Sequence, residues 1–113
     1  MPKASSGSVK VFYPPHSQAQ LVALLRERLP QLAATLPLNR VVLFGSWAKG
    51  RATAFSDVDL LVVYAGPPRE DAYKIVWRCL RLRGLEPHVY SVEEAEAIQP
   101  TLDRMTQDGI TLL

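Results

Sequence analysis

The sequence predicts an α/β domain in which short apolar strands alternate with helices. Three observations carry this reading. Val41-Val42-Leu43-Phe44 is an unbroken apolar run, the pattern of a strand covered on both faces. Val58, Leu60, Leu61, Val62 and Val63 form a second and stronger strand, ended by Gly66-Pro67-Pro68. Around these runs lie leucines at helical spacing (Leu21, Leu24, Leu25, Leu29 and Leu32) and a segment, Arg69 to Arg83, that strings Tyr73, Val76, Trp77 and Leu80 along one side.

The remaining elements follow in chain order. Residues 1–8 are small and polar and are expected to be a flexible N-terminus. Val9 to Tyr13 alternates weakly, as a short edge strand would, and Pro14-Pro15 ends it. Ser17 is placed to cap the leucine-bearing helix, Pro30 is expected to kink or split that helix, and Pro37 closes the region. Trp47 to Lys49 has the length of one helical turn, and residues 51–56 read as a loop. Gly84 is a natural C-terminal cap for the helix over Arg69 to Arg83. Leu85 to Tyr90 is a further strand, which Pro87 restricts to an edge or an irregular position. Ser91-Val92-Glu93-Glu94 has the form of a capping box opening a helix. Pro100 then separates that helix from another over roughly Thr101 to Gln107, and Gly109 leads into a short final strand at Ile110 to Leu113. No repeat or linker divides the chain, so residues 9–113 are read as a single domain.

Composition narrows the function classes. A chain of 113 residues has room for one modest core. With 48% hydrophobic and 21% charged residues it does not have the composition of a disordered protein. A net charge of +2 gives no general electrostatic pull toward nucleic acid, which is not expected as a partner. Cys79 is the single cysteine and has no internal disulfide partner. The longest apolar run, Leu60 to Ala65, is too short to span a bilayer, and Met1 to Ser8 lacks the apolar stretch of a signal peptide. A reduced, cytoplasmic setting without a membrane partner is expected.

The chemistry concentrates in Gly45-Ser46-x-x-x-Gly50 followed, after five residues, by Ser56-Asp57-x-Asp59-Leu60. Gly45 follows a strand, where a residue without Cβ lets the backbone approach a ligand closely. Ser46 offers a hydroxyl and an N–H at the start of a helical turn, an arrangement that favours phosphate. Gly50 permits a tight exit. Asp57 and Asp59, two apart on a strand, would leave the same face. Two carboxylates held together call for a cation between them, and magnesium takes oxygen ligands together with substrate phosphates. Either half of the pattern alone is weak. Both halves between two apolar strands point to a nucleotide site.

Residues 41–63 resemble the signature of the DNA polymerase beta-like nucleotidyltransferase superfamily, and the short chain is similar in size to its minimal nucleotidyltransferase branch. The resemblance extends from Val41 to Leu113, with the specific stretch at Gly45 to Leu60. It implies a mixed central sheet flanked by helices, one or two magnesium ions, and transfer of a nucleoside monophosphate, AMP from ATP, to a hydroxyl. By position, Gly45 and Ser46 would hold the triphosphate, and Asp57 and Asp59 would be catalytic and bind metal. The family's third carboxylate has its best positional match here in Glu86, as a metal ligand or general base or else as an exposed strand-end carboxylate. His88 shares the strand face of Glu86 by alternation, and a histidine so placed is more often a surface or satisfied side chain than a chemical one.

Lys49 and Arg51 flank Gly50, where they can meet phosphate oxygens or remain solvated loop charges. Lys74, Arg78 and Arg81 recur at helical spacing, a stripe that reads first as a solvated face and second as a docking surface for an acidic partner or RNA. In the family, small members are often paired with a helical protein of the HEPN class (higher eukaryotes and prokaryotes nucleotide-binding). The resemblance therefore implies an antitoxin that modifies a hydroxyl of a toxin partner. The alternative is a catalytically degenerate binding module that neutralises the partner by steric masking.

Overall fold

The computed structural model describes residues 16–113. The expected N-terminal flexible stretch and the expected strand over Val9 to Tyr13 lie outside the described residues. Helix α1 spans Gln18–Thr35, strand β1 Leu38–Phe44, β2 Val58–Tyr64, helix α2 Ala72–Leu80, β3 Leu85–Ser91, α3 Val92–Ala97, α4 Gln99–Met105 and β4 Ile110–Thr111. The strands form one mixed sheet in the order β3-β2-β1-β4. β1 pairs antiparallel with both β2 and β4, and β2 pairs parallel with β3.

The continuous apolar runs follow from two-sided burial. On one face, Val41 and Leu43 of β1 and Val58, Leu60, Val62 and Tyr64 of β2 pack with α1 and α2. On the other, Val42, Phe44, Leu61 and Val63 pack against Ala95 of α3 and Leu102 of α4. Successive strand residues alternate between the two clusters, as the two-residue period requires. β3 is an edge strand, so Pro87 occupies the position expected of a proline in a sheet.

Both caps read from sequence are present. Ser17 caps α1 in a capping box with Gln20, and Ser91 caps α3 with Glu94. Pro30 does not split the helix: α1 runs unbroken through it. Pro30 is exposed, and so is Arg26, whose carbonyl loses its partner, so water meets the defect. Leu21, Leu25, Leu29 and Leu32, all buried on the other side, pin both halves of the helix to the sheet.

Helix α2 departs from expectation at both ends and in its face. It starts at Ala72, because Arg69 and Asp71 form a bidentate ion pair (3.0 and 2.9 Å) and the Arg69 N–H donates to the Tyr64 hydroxyl at 2.8 Å. The cap at its C-terminus is Arg81 in a left-handed conformation (φ 47°), and Gly84 instead turns the chain into β3. Arg28 of α1 stabilises this end by donating to the carbonyls of Leu80 and Arg81. The buried face is Ala72, Ile75, Val76 and Leu80, whereas Tyr73 and Trp77 are 50% and 36% exposed. Pro100 does not separate α3 from α4 but lies in the first turn of α4, where its missing N–H costs no helical bond. The break falls at Ile98.

Candidate active site

The loop after β1 is built as the motif predicts. Gly45 takes a left-handed conformation (φ 77°), and the chain closes one helical turn in which the Lys49 N–H donates to the Gly45 carbonyl at 3.1 Å. The Arg51 N–H donates to the Ser46 carbonyl at 2.9 Å, and Gly50 (φ 72°) makes the exit. Ser46, Lys49 and Arg51 are all exposed, so both cations face solvent around the turn.

Two features hold this turn that the sequence did not reveal. Gln18, the first residue of α1, donates from its side-chain amide to the carbonyls of Trp47 (2.8 Å) and Ala48 (3.1 Å). Trp47 is 4% exposed and anchors the turn in the α1-side core, with its indole Nε1 buried and without a hydrogen-bond partner among the described residues. A bulky aromatic directly after Gly-Ser was the available signal for Trp47. Nothing local marked Gln18, whose partners are 29 and 30 residues away.

Asp59 lies on β2, registered with Phe44 on β1 and with Glu86 on β3. Its carboxylate packs directly on Gly45, filling the space where a side chain would begin. On its other side, Asp59 Oδ1 stands 3.6 Å from His88 Nε2, beyond hydrogen-bond range. The His88 ring is held against Phe44, centroids 5.1 Å apart and tilted by 55°. Glu86, His88 and Tyr90 alternate with Leu85, Pro87 and Val89, which places Glu86 and His88 on the same sheet face as Asp59.

Asp57 is not on the strand. The Val58 N–H donates to the Gly84 carbonyl at 2.7 Å and β2 begins there, so Asp57 sits one residue ahead, exposed, at the end of a loop. That loop is closed by Ser56, whose hydroxyl accepts from the Thr53 N–H at 2.8 Å. Asp57 helps line a cavity of about 520 Å³ with Trp47, Ser56, Val58, Leu82 and Arg83. Asp59 and Glu86 are not among the residues that line it. Among the described residues, no three His, Cys, Asp or Glu side chains gather as a group that could hold a metal ion. Asp57, Asp59 and Glu86 are therefore neighbours in topology but not a converged triad. Neither Asp57 nor Asp59 forms an ion pair with a lysine or arginine among the described residues.

Comparison with known proteins bears on the same residues. The family model for the nucleotidyltransferase domain matches residues 22–111, which takes in the Gly45 turn, both aspartates and all four strands. The chain belongs to the nucleotidyltransferase family. A candidate nucleotidyltransferase from Sulfolobus solfataricus is 26% identical, with a TM-score of 0.60 over 84% of this chain and 81% of that one. The toxin–antitoxin MntA-HpeT, solved in a form with two aspartates changed to glutamate, superposes with a TM-score of 0.52 over 87% of this chain and 73% of that one. At 17% identity the second likeness is one of fold. A search of the curated proteins finds no match. The mixed sheet and flanking helices are thus the fold of nucleotidyltransferases. No helix among the described residues is long and apolar enough to cross a membrane.

Proposed function

We propose that this nucleotidyltransferase domain binds a nucleoside triphosphate, ATP, at the Gly45–Gly50 turn and transfers its AMP to a hydroxyl of a partner protein. The observation that carries the reading is the seating of Asp59 on Gly45, which sets a carboxylate against the first peptide of the turn. Ser46 and the turn amides take the triphosphate, and Lys49 and Arg51 approach its oxygens from the exposed rim. Asp57 and Asp59, neither paired with a lysine or arginine among the described residues, have the donor chemistry for magnesium. Magnesium bound there supplies neutralisation of the triphosphate charge. Glu86, exposed on the strand beside Asp59, takes the proton of the acceptor hydroxyl. The acceptor oxygen bonds to the α-phosphorus as the bond to the bridging oxygen breaks, and pyrophosphate leaves with that electron pair.

In this reading the acceptor is a separate protein. A small helical protein of HEPN type, with this chain as the antitoxin of the pair, is the partner we propose. The fold likeness to the toxin–antitoxin MntA-HpeT supports it. Incubating the protein with labelled ATP, magnesium and the partner should label the partner, and Asp59→Asn should abolish labelling. Equal labelling by wild type and by the Asp57→Asn/Asp59→Asn double variant would sink the enzymatic reading.

One observation favours the second reading, a degenerate domain that masks its partner: the three carboxylates do not converge. In that case the double variant still neutralises the partner fully.

A further inference from the structure

Asp59 and His88 leave a polar pair unresolved. His88 Nε2 is buried, has no hydrogen-bond partner among the described residues, and faces Asp59 Oδ1 at 3.6 Å. If that nitrogen carries its proton, the imidazolium meets Asp59 as an ion pair but stands too far away to hydrogen-bond it. If it carries its lone pair instead, two electron-rich atoms face each other with nothing between them. A cation between the two removes both problems. The spacing suits one, because two ligands each about 2.1 Å from a shared metal at a tetrahedral angle stand about 3.4 Å apart.

We infer that His88, rather than Glu86, is the third metal-binding residue, and that its imidazole shifts the preferred cation from magnesium toward manganese, cobalt or zinc. The inference rests on the proposed nucleotide site and specifies its cation. Two features pre-set the ring. Phe44 packs against it, and the parallel register that pairs Leu61 with His88 puts it on the same sheet face as Asp59. Glu86 pairs with Asp59 in register but is exposed at the sheet edge, with no contact that orients it toward that carboxylate. Imidazole suits transition cations, whereas magnesium is served by oxygen donors. Among the described residues no further side chain joins this pair as a group, so the remaining coordination positions fall to Asp57 after a rotation of its exposed side chain, to phosphate oxygens and to water.

Wild-type protein tests this directly, because His16 and His88 are its only histidines. Manganese added without nucleotide should broaden the His88 imidazole resonances ahead of those of His16, and the Asp59 amide with them. Cobalt should give an absorption spectrum typical of nitrogen ligation. His88→Gln should weaken cobalt binding about tenfold or more while leaving magnesium–ATP binding in place, Glu86→Gln should change neither, and His88→Asp should restore a preference for magnesium. The inference is overturned if manganese broadens the Asp59 amide and spares His88, or if His88 responds only as an imidazolium ion-paired to Asp59 that added cation does not displace. Failure of the proposed function looks different: magnesium–ATP then binds wild type and the Asp57→Asn/Asp59→Asn variant alike.

Discussion

Asp59 lies across Gly45 so closely that a Cβ built on the glycine would fall 3.2 Å from Asp59 Cγ and 3.4 Å from its Cβ, with the carboxylate oxygen nearer still. Gly45 also holds φ at 77°, so a substituted residue there meets backbone strain as well as a carboxylate. Gly45→Ala is expected to displace Asp59, to lower stability by about 1–3 kcal/mol and to abolish nucleotide binding. Thermal unfolding and calorimetry with ATP check both parts. Gly50→Ala, where nothing lies within 4 Å of the added methyl, should show the strain alone and keep most of the binding.

The Gln18 clamp separates turn geometry from fold. Gln18→Ala removes two side-chain hydrogen bonds to the Trp47 and Ala48 carbonyls, each with a net value of about 1 kcal/mol. The expected outcome is several-fold weaker nucleotide binding and faster amide exchange over residues 46–51, with a fall in stability of no more than about 2 kcal/mol.

Trp47 has a large apolar surface in the core and an indole N–H with no partner. Trp47→Phe should therefore be nearly neutral, since it removes the unpaired donor and keeps most of the packing. Trp47→Ala should cost about 3–5 kcal/mol by leaving a cavity. Chemical denaturation of the two variants distinguishes the packing role from any contribution of the N–H.

Pro30 in an unbroken, exposed helix position predicts a stabilising change. Pro30→Ala restores the bond to the Arg26 carbonyl and should raise stability, with an upper bound of about 3 kcal/mol from helix propensity. A lowered unfolding temperature would show that the proline ring itself contributes packing to the helix.

Acid should dissolve one tie of the loop before α2. Hydrogen bonding to Arg69 holds the Asp71 carboxyl below its ordinary range, and Asp71 in turn raises Arg69. A carboxyl whose folded pKa is depressed contributes stability above its unfolded value, about 3.9, and loses that contribution as pH falls through the lower folded value. Both side chains are exposed to solvent, so water screens the effect. Asp71→Asn should lower the melting temperature slightly at neutral pH, and the difference should vanish in strong acid.

The parts of the fold that were legible are those fixed by local chemistry or by burial on both faces. Val41 to Phe44 and Val58 to Val63 could be read because a strand covered twice needs no polar alternation. Ser17 and Ser91 could be read because each cap closes within three residues. α2 was misread because its aromatic residues suggested the core, while the space against α1 accepts the smaller Ala72 and Ile75 and leaves Tyr73 and Trp77 at the rim. Its C-terminus was misplaced because the cap depends on Arg28, more than fifty residues away. At the site, the Gly45 turn and Asp59 were where the motif put them. Asp57 left the strand because the Val58–Gly84 hydrogen bond, a contact between distant segments, decides where β2 begins.

Among the described residues the order β3-β2-β1-β4 leaves two borders, and neither invites a further strand. On one side Pro87 deprives β3 of a donor at mid-length, and on the other β4 is two residues long. A partner that engages this domain through the described residues would have to be recognised by side chains on its helices and loops, so complexes should be specified by surface chemistry that point mutations can rewrite one residue at a time.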